Sequence, residues 1–262
     1  MAIKQSVVVP IFHEPDQPRE AFCQQMAEVG LDGIELWGRA ECTAWAEAAR
    51  SAGLTLVSFV GHGTLEHGLN DPDAHDRIEQ ELRDAIDVAA AHGVPGVIAF
   101  AGNRRTGQSD YDGMVVCAKG LRRIAGYAEE QGVNINVELL NSRVDHPAYL
   151  ADASDWGYAL CEMVDRPRVK LLFDIYHMQI MEGNVIANLQ RGIRWIGHVH
   201  TAGVPGRHDL DDTQELNYTG ICRALAEAGY DGYVGHEFWP RGEKLAALRQ
   251  ARALCDVGIS AR

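Results

Sequence analysis

The chain has 262 residues, is 46% hydrophobic and carries a formal net charge of −13. That length suits one sizeable core of the kind an α/β barrel builds, and the acidic balance argues against a phosphate-tracking surface, which needs clustered Lys and Arg. Six scattered cysteines without a CxxC pair, no apolar run near the ~20 residues of a membrane span and no basic-then-apolar leader read as a cytoplasmic protein with packed thiols.

Short β-branched or apolar runs alternate with amphipathic stretches throughout. The predicted elements are strand Gln5–Val9, helix Arg19–Val29, strand Gly33–Trp37, helix Cys42–Ala52, strand Thr55–Gly61, helix Ala74–His92, strand Val97–Ala101 and helix Tyr111–Gln131. The second half continues with strand Asn134–Leu139, helix Ala153–Val164, strand Val169–Ile175, helix Val185–Arg191, strand Trp195–His200, helix Gly220–Ala228, strand Tyr233–Phe238 and helix Lys244–Leu254. Gly30, Gly53, Gly93, Gly132 and Gly229 sit where helix C-caps precede strands.

Strand–helix alternation predicts parallel pairing, and runs as apolar as Val169–Phe173 need cover on both faces. Strand one leads into Pro10-Ile11-Phe12-His13 without a GxGxxG loop, so a dinucleotide-binding open sheet is not expected. The expectation is a single-domain (β/α)8 TIM barrel over residues 1–262.

Each late strand finishes on a polar residue that sits badly inside a barrel: Glu138 on strand five, Asp174 on six, His200 on seven and Glu237 on eight. The C-terminal ends of barrel strands converge on one mouth, where active sites form. Taken singly, each of the four is an ordinary cap, ion-pair partner or packing residue. Together they place three carboxylates where mutual repulsion would be severe, and one divalent cation resolves it. Oxygen ligands with one imidazole suit Mn²⁺, Mg²⁺ or Co²⁺. Glu35 and His62 lack that support from neighbouring strands; His198 shares the face of His200, and His236 points away from the Glu237 side.

At these positions the chain resembles the hydroxypyruvate isomerases. Residues 138–147 (ELLNSRVDHP) are similar to that family's EPINxRVDxPG stretch, and 174–179 (DIYHMQ) with Glu182-Gly183 to DxYHxQ…EG. Residues 204–208 (VPGRH) and 214–218 (QELNY) resemble VPxRHEPxxGELNY, and 229–237 (GYDGYVGHE) the GYDGWVGCEY ending. The resemblance covers residues 134 to 240 closely. It implies one divalent metal held by Glu138, Asp174, His200 and Glu237, with Glu138 and Glu237 doubling as the proton-transfer pair. It also implies that His177 and Arg207 hold substrate oxygens. His62, in a Gly61-His62-Gly63 turn where the family has a proline-containing one, is a further candidate for substrate contact. His200 stands where hydroxypyruvate isomerases carry Gln; histidine there is typical of ketose 3-epimerases.

These residues suit a metal-assisted proton shift through a cis-enediolate, in which a small hydroxy-keto acid or sugar is interconverted with its aldehyde isomer. Arg207 is placed to clamp a substrate carboxylate, or else to pair with Asp209 or Asp211. Arg143 has the same two readings. The main alternative is a ketose 3-epimerase; a lyase or dehydratase through the same enediolate, a metal-dependent endonuclease and a non-catalytic barrel are the others. The expected partner is a small molecule, with neither nucleic acid nor membrane, and the chain leaves room for a homo-oligomer.

Overall fold

The structure is a computed structural model that describes residues 3–257. Eight strands are seen: β1 Lys4–Val8, β2 Gly33–Glu35, β3 Thr55–Ser58, β4 Gly96–Ala99, β5 Asn134–Leu139, β6 Val169–Asp174, β7 Ile196–Thr201 and β8 Tyr233–His236. All pairs are parallel, in the order β3-β2-β1-β8-β7-β6-β5-β4. Beyond β3 the chain closes the ring on β4 through the single parallel bridge Val60–Ile98. There Ile98 N–H donates to Phe59 O (2.9 Å) and Gly61 N–H to Ile98 O (2.8 Å). The expected (β/α)8 barrel is therefore present, with its thinnest seam between β3 and β4.

Sequence periodicity locates the helices well because each buries one apolar stripe against the sheet. Helix His75–His92 turns Ile78, Leu82, Ala85, Ile86 and Ala89 inward. Helix Asp110–Gln131 starts at Ser109, whose Oγ accepts from Asp112 N–H, and ends at Gly132 with φ 72°, a left-handed cap that suits glycine. Strands β2, β3 and β8 end earlier than the expected Trp37, Gly61 and Phe238. At the rim the backbone leaves ladder geometry, and Trp37, Val60 and Glu237 turn toward the mouth.

Two short helices follow strands where the sequence reading placed none, Val9–Phe12 after β1 and Ile175–Met181 after β6. The second has a local cause. Asp174 is its N-cap: Oδ1 accepts from the N–H groups of Tyr176 (2.8 Å) and His177 (3.3 Å), which satisfies donors a helix start leaves free. All six cysteines are buried and free. Among the described residues no helix is long and apolar enough to cross a membrane.

Candidate active site

Glu138, Asp174, His200 and Glu237 come together at the C-terminal mouth, each offering a ligand atom within 4.8 Å of the others. The strands dictate this: β6 and β7 pair Asp174 with His200, and β7 and β8 pair His200 with Gly235, two residues before Glu237. His200 Nδ1 lies 3.2 Å from Glu237 Oε2 and 3.9 Å from Glu138 Oε1, yet it has no hydrogen-bond partner. Its other ring nitrogen, Nε2, is 3.0 Å from Glu35 Oε2.

Glu35, buried on β2, is shared. His198 Nε2 reaches the same Oε2 at 2.8 Å, and Ser6 Oγ donates to Oε1 at 2.6 Å. Against the cost of burial, the two histidines hold the Glu35 carboxyl well below the usual carboxylate range. This support was not assigned from sequence. The available signal was the i, i+2 spacing of His198 and His200, which puts both rings on one strand face toward an acid on a distant strand.

The carboxylates are pulled in opposite directions. Burial, and then the charge of Glu237, push Glu138 up to about 8. Glu237 resists burial through His200 and Arg207 and stays well below its ordinary value. Burial raises Asp174, with Arg207 and His200 opposing. His200 itself is raised well above the histidine range; burial is outweighed by Glu35 and Glu237.

Arg207 faces this cluster rather than the solvent acids it was weighed against. One terminal nitrogen donates to Glu237 Oε2 (2.6 Å) and lies 3.7 Å from Asp174 Oδ2. Asp209 and Asp211 pair instead with Arg241. The guanidinium sits between the rings of Tyr176 (5.4 Å) and Trp239 (5.2 Å), while its Nε has no partner. Trp37 Nε1–H donates to Glu237 Oε1 at 2.9 Å, a contact the sequence did not reveal.

His177 is fully buried. Its Nδ1 accepts from Asn141 N–H (3.1 Å) and contacts Asn141 Nδ2 (2.7 Å), so Nε2 carries the proton; that atom is 3.6 Å from Asp174 Oδ2 and unpartnered. His62 is not brought to the cluster. Its Nε2 accepts Phe100 N–H (2.8 Å), and it lines an adjoining cavity of about 240 Å³ with Trp37, Arg39 and Glu81. His236 is held inside by Thr201 and Gln5, and exposed Arg143 donates to Ile180 O.

The mouth opens into a cavity of about 280 Å³. Its polar wall is Glu138, His200, Glu237, Arg207 and His146, the last with its ring 5.5 Å from that of His177. Val60, Leu65, Phe100 and Leu140 bring apolar side chains to the same cavity, together with Trp37 and Trp239.

Comparison with known proteins agrees with this architecture. The family profile described as xylose isomerase-like TIM barrel matches residues 23–256. A human protein named "Putative hydroxypyruvate isomerase" is 32% identical over 238 residues, covering 87% of this chain and 86% of its own. A protein of Cupriavidus necator named 2-oxo-tetronate isomerase is 43% identical over 124 residues, 47% of each chain. Among solved structures, an AP endonuclease, family 2, from Brucella melitensis superposes with TM-score 0.85 at 25% identity, covering 96% of this chain and 98% of that one. D-psicose 3-epimerase from Clostridium cellulolyticum superposes with TM-score 0.77 at 21% identity over 97% of this chain and all of that one; at that identity the likeness is one of fold. The chain belongs to the xylose isomerase-like TIM-barrel family and is an isomerase.

Proposed function

We propose that this isomerase interconverts a short 2-oxo-3-hydroxy carboxylate, of the hydroxypyruvate or 2-oxo-tetronate type, with its carbonyl isomer. The observation that carries the reading is the pairing of Glu138 and Glu237 around one small cavity whose only arginine or lysine, among the described residues lining it, is Arg207.

The residues present fit a divalent cation. Three buried carboxylates converge within 4.8 Å, and the buried Nδ1 of His200 faces them without a hydrogen-bond partner while Glu35 engages the opposite ring nitrogen. Glu138, Asp174, His200 and Glu237 would hold one Mn²⁺, Mg²⁺ or Co²⁺, and the bound ion would supply Lewis-acid polarisation of neighbouring carbonyl and hydroxyl oxygens. With its charge balanced, Glu138 acts as a carboxylate base rather than a protonated acid.

One glutamate takes the proton from the hydroxyl-bearing carbon, giving an enediolate. A carbon proton is returned at the former carbonyl carbon, the oxygen-bound proton passes between the two oxygens, and the isomer results with no net change in atoms. Two carboxylates suit this because donor and acceptor exchange roles with direction. Arg207 binds the substrate carboxylate, its guanidinium preset by stacking between Tyr176 and Trp239. His177 donates from Nε2 to a substrate oxygen, its tautomer fixed by Asn141.

A ketose 3-epimerase would use the same glutamates on opposite faces of one carbon, and His200 is the residue in its favour. The lining weighs against it: a free ketose carries several hydroxyls, and Val60, Leu65, Phe100 and Leu140 bring only apolar side chains to the cavity. The test is to supply Mn²⁺-loaded protein with hydroxypyruvate, 2-oxo-tetronate and free ketoses and to follow products by proton NMR. Turnover of the oxo acids supports the proposal; inversion at carbon three of a ketose, with the acids inert, overturns it.

A further inference from the structure

A second cavity, larger than the mouth at about 480 Å³, lies at the opposite, N-terminal end of the barrel. Glycines hollow out the floor of the barrel there. A Cβ on Gly197 would fall 2.2 Å from Asn136 Oδ1 and 2.8 Å from Lys170 Cβ, and one on Gly96 would fall 2.5 Å from Asn136 Nδ2. The space reaches His198, which contacts the Glu35 carboxylate on its other side.

The cavity is basic in a chain of net charge −13. Lys4, Arg168, Lys170 and Arg194 line it against a single carboxylate, Asp231. Arg194 pairs with Glu162 at 2.9 Å. Among the described residues the other three have no carboxylate partner within 4.0 Å. Lys4 Nζ lies 4.6 Å over the Tyr233 ring, Arg168 donates to Asn134 Oδ1, and Lys170 donates to Arg194 O. Burial lowers the Lys170 ammonium below its ordinary range, and Arg168 adds to that repulsion while Cys161 and Asp231 oppose it. Like charges gathered in a half-buried pocket cost free energy that a bound anion removes. This is the mirror image of the carboxylates at the mouth.

We propose that the barrel floor is a binding site for a small anion, its charge met by Lys4, Arg168 and Lys170. Inorganic phosphate and short carboxylates share that chemistry. The site is independent of the reading of the mouth.

The test is to titrate the full-length protein with glycerate, inorganic phosphate and acetate in separate series at constant ionic strength, following backbone amide resonances. Saturable shifts of Gly96, Gly197 and Gly232 are expected with at least one of the three anions. The series that saturates at lower concentration names the source. An Arg168→Gln/Lys170→Gln variant should weaken binding about tenfold or more. The variant is checked for an unchanged amide spectrum elsewhere. Shifts confined to the Arg207 end, no saturation, or equal affinity in the folded double variant would overturn the proposal.

Discussion

Glu35 Oε2 lies 2.8 Å from His198 Nε2 and 3.0 Å from His200 Nε2, so one carboxylate on β2 orients two rings on β7 from across the barrel. Removing its charge while keeping its shape isolates that support. Glu35→Gln should fold, because the barrel core is untouched, yet bind Mn²⁺ about 10- to 100-fold more weakly, the usual effect of losing a partner behind a ligating histidine. Titration followed by the EPR signal of free Mn²⁺ reads this directly, and an unchanged affinity would remove Glu35 from the account.

Space around Glu35 is equally constrained. A Cβ on Gly235 would fall 2.1 Å from Glu35 Oε1 and 2.9 Å from His200 Cδ2. Gly235→Ala should therefore destabilise the protein by ~1–3 kcal/mol through overpacking. Denaturant unfolding with the same m-value and a lower midpoint is the expected observation, accompanied by weaker metal binding.

Proton linkage gives a third prediction. In the metal-free protein Glu138 is raised to about 8, so the folded state holds a proton there that the unfolded state loses near the ordinary value of 4.5. That group's stabilising contribution is full below the unfolded value and is lost as pH rises through about 8. His200 is raised as well and must give up a proton to ligate. Mn²⁺ affinity should rise from pH 6 to pH 8, with proton release per ion falling as pH increases. Calorimetry in buffers of different ionisation enthalpy measures the release, and affinity that is flat with pH would contradict it.

Arg207 separates binding from chemistry. Replacement by Met should raise KM about 10- to 100-fold, from the ~1.5–3 kcal/mol of a charge-assisted hydrogen bond, with a smaller change in kcat. Steady-state kinetics on the oxo acids decides it; a loss in kcat alone would assign Arg207 to the proton shift instead.

Much of the fold was legible because barrel strands repeat one simple pattern. Helix Arg19–Val29 and strand Asn134–Leu139 fall at the bounds their periodicity predicts. The ends of β2, β3 and β8 were overrun, since apolar residues continue past the ladder into the rim. At the mouth, strand-end polarity picked out Glu138, Asp174, His200 and Glu237 because equivalent positions on successive parallel strands must meet. The contacts of Glu35 with His198 and of Trp37 with Glu237 were not assigned, for the partners lie 163 and 200 residues away and no local spacing encodes such contacts. His62, a substrate-contact candidate from its glycine-flanked turn, lines a cavity adjoining the mouth while its Nε2 accepts Phe100 N–H.

The most direct test of the central claim is deuterium incorporation at carbon in D₂O. Mn²⁺-loaded wild type is compared with Glu138→Gln and Glu237→Gln, each first shown to be folded and scored with metal saturating. Metal-dependent exchange and isomerisation are expected in the wild type, with rates lower by ~10²–10⁴-fold in each variant, the usual contribution of a positioned acid–base group. Exchange that persists in both variants, or proceeds equally well without any metal, would contradict that claim.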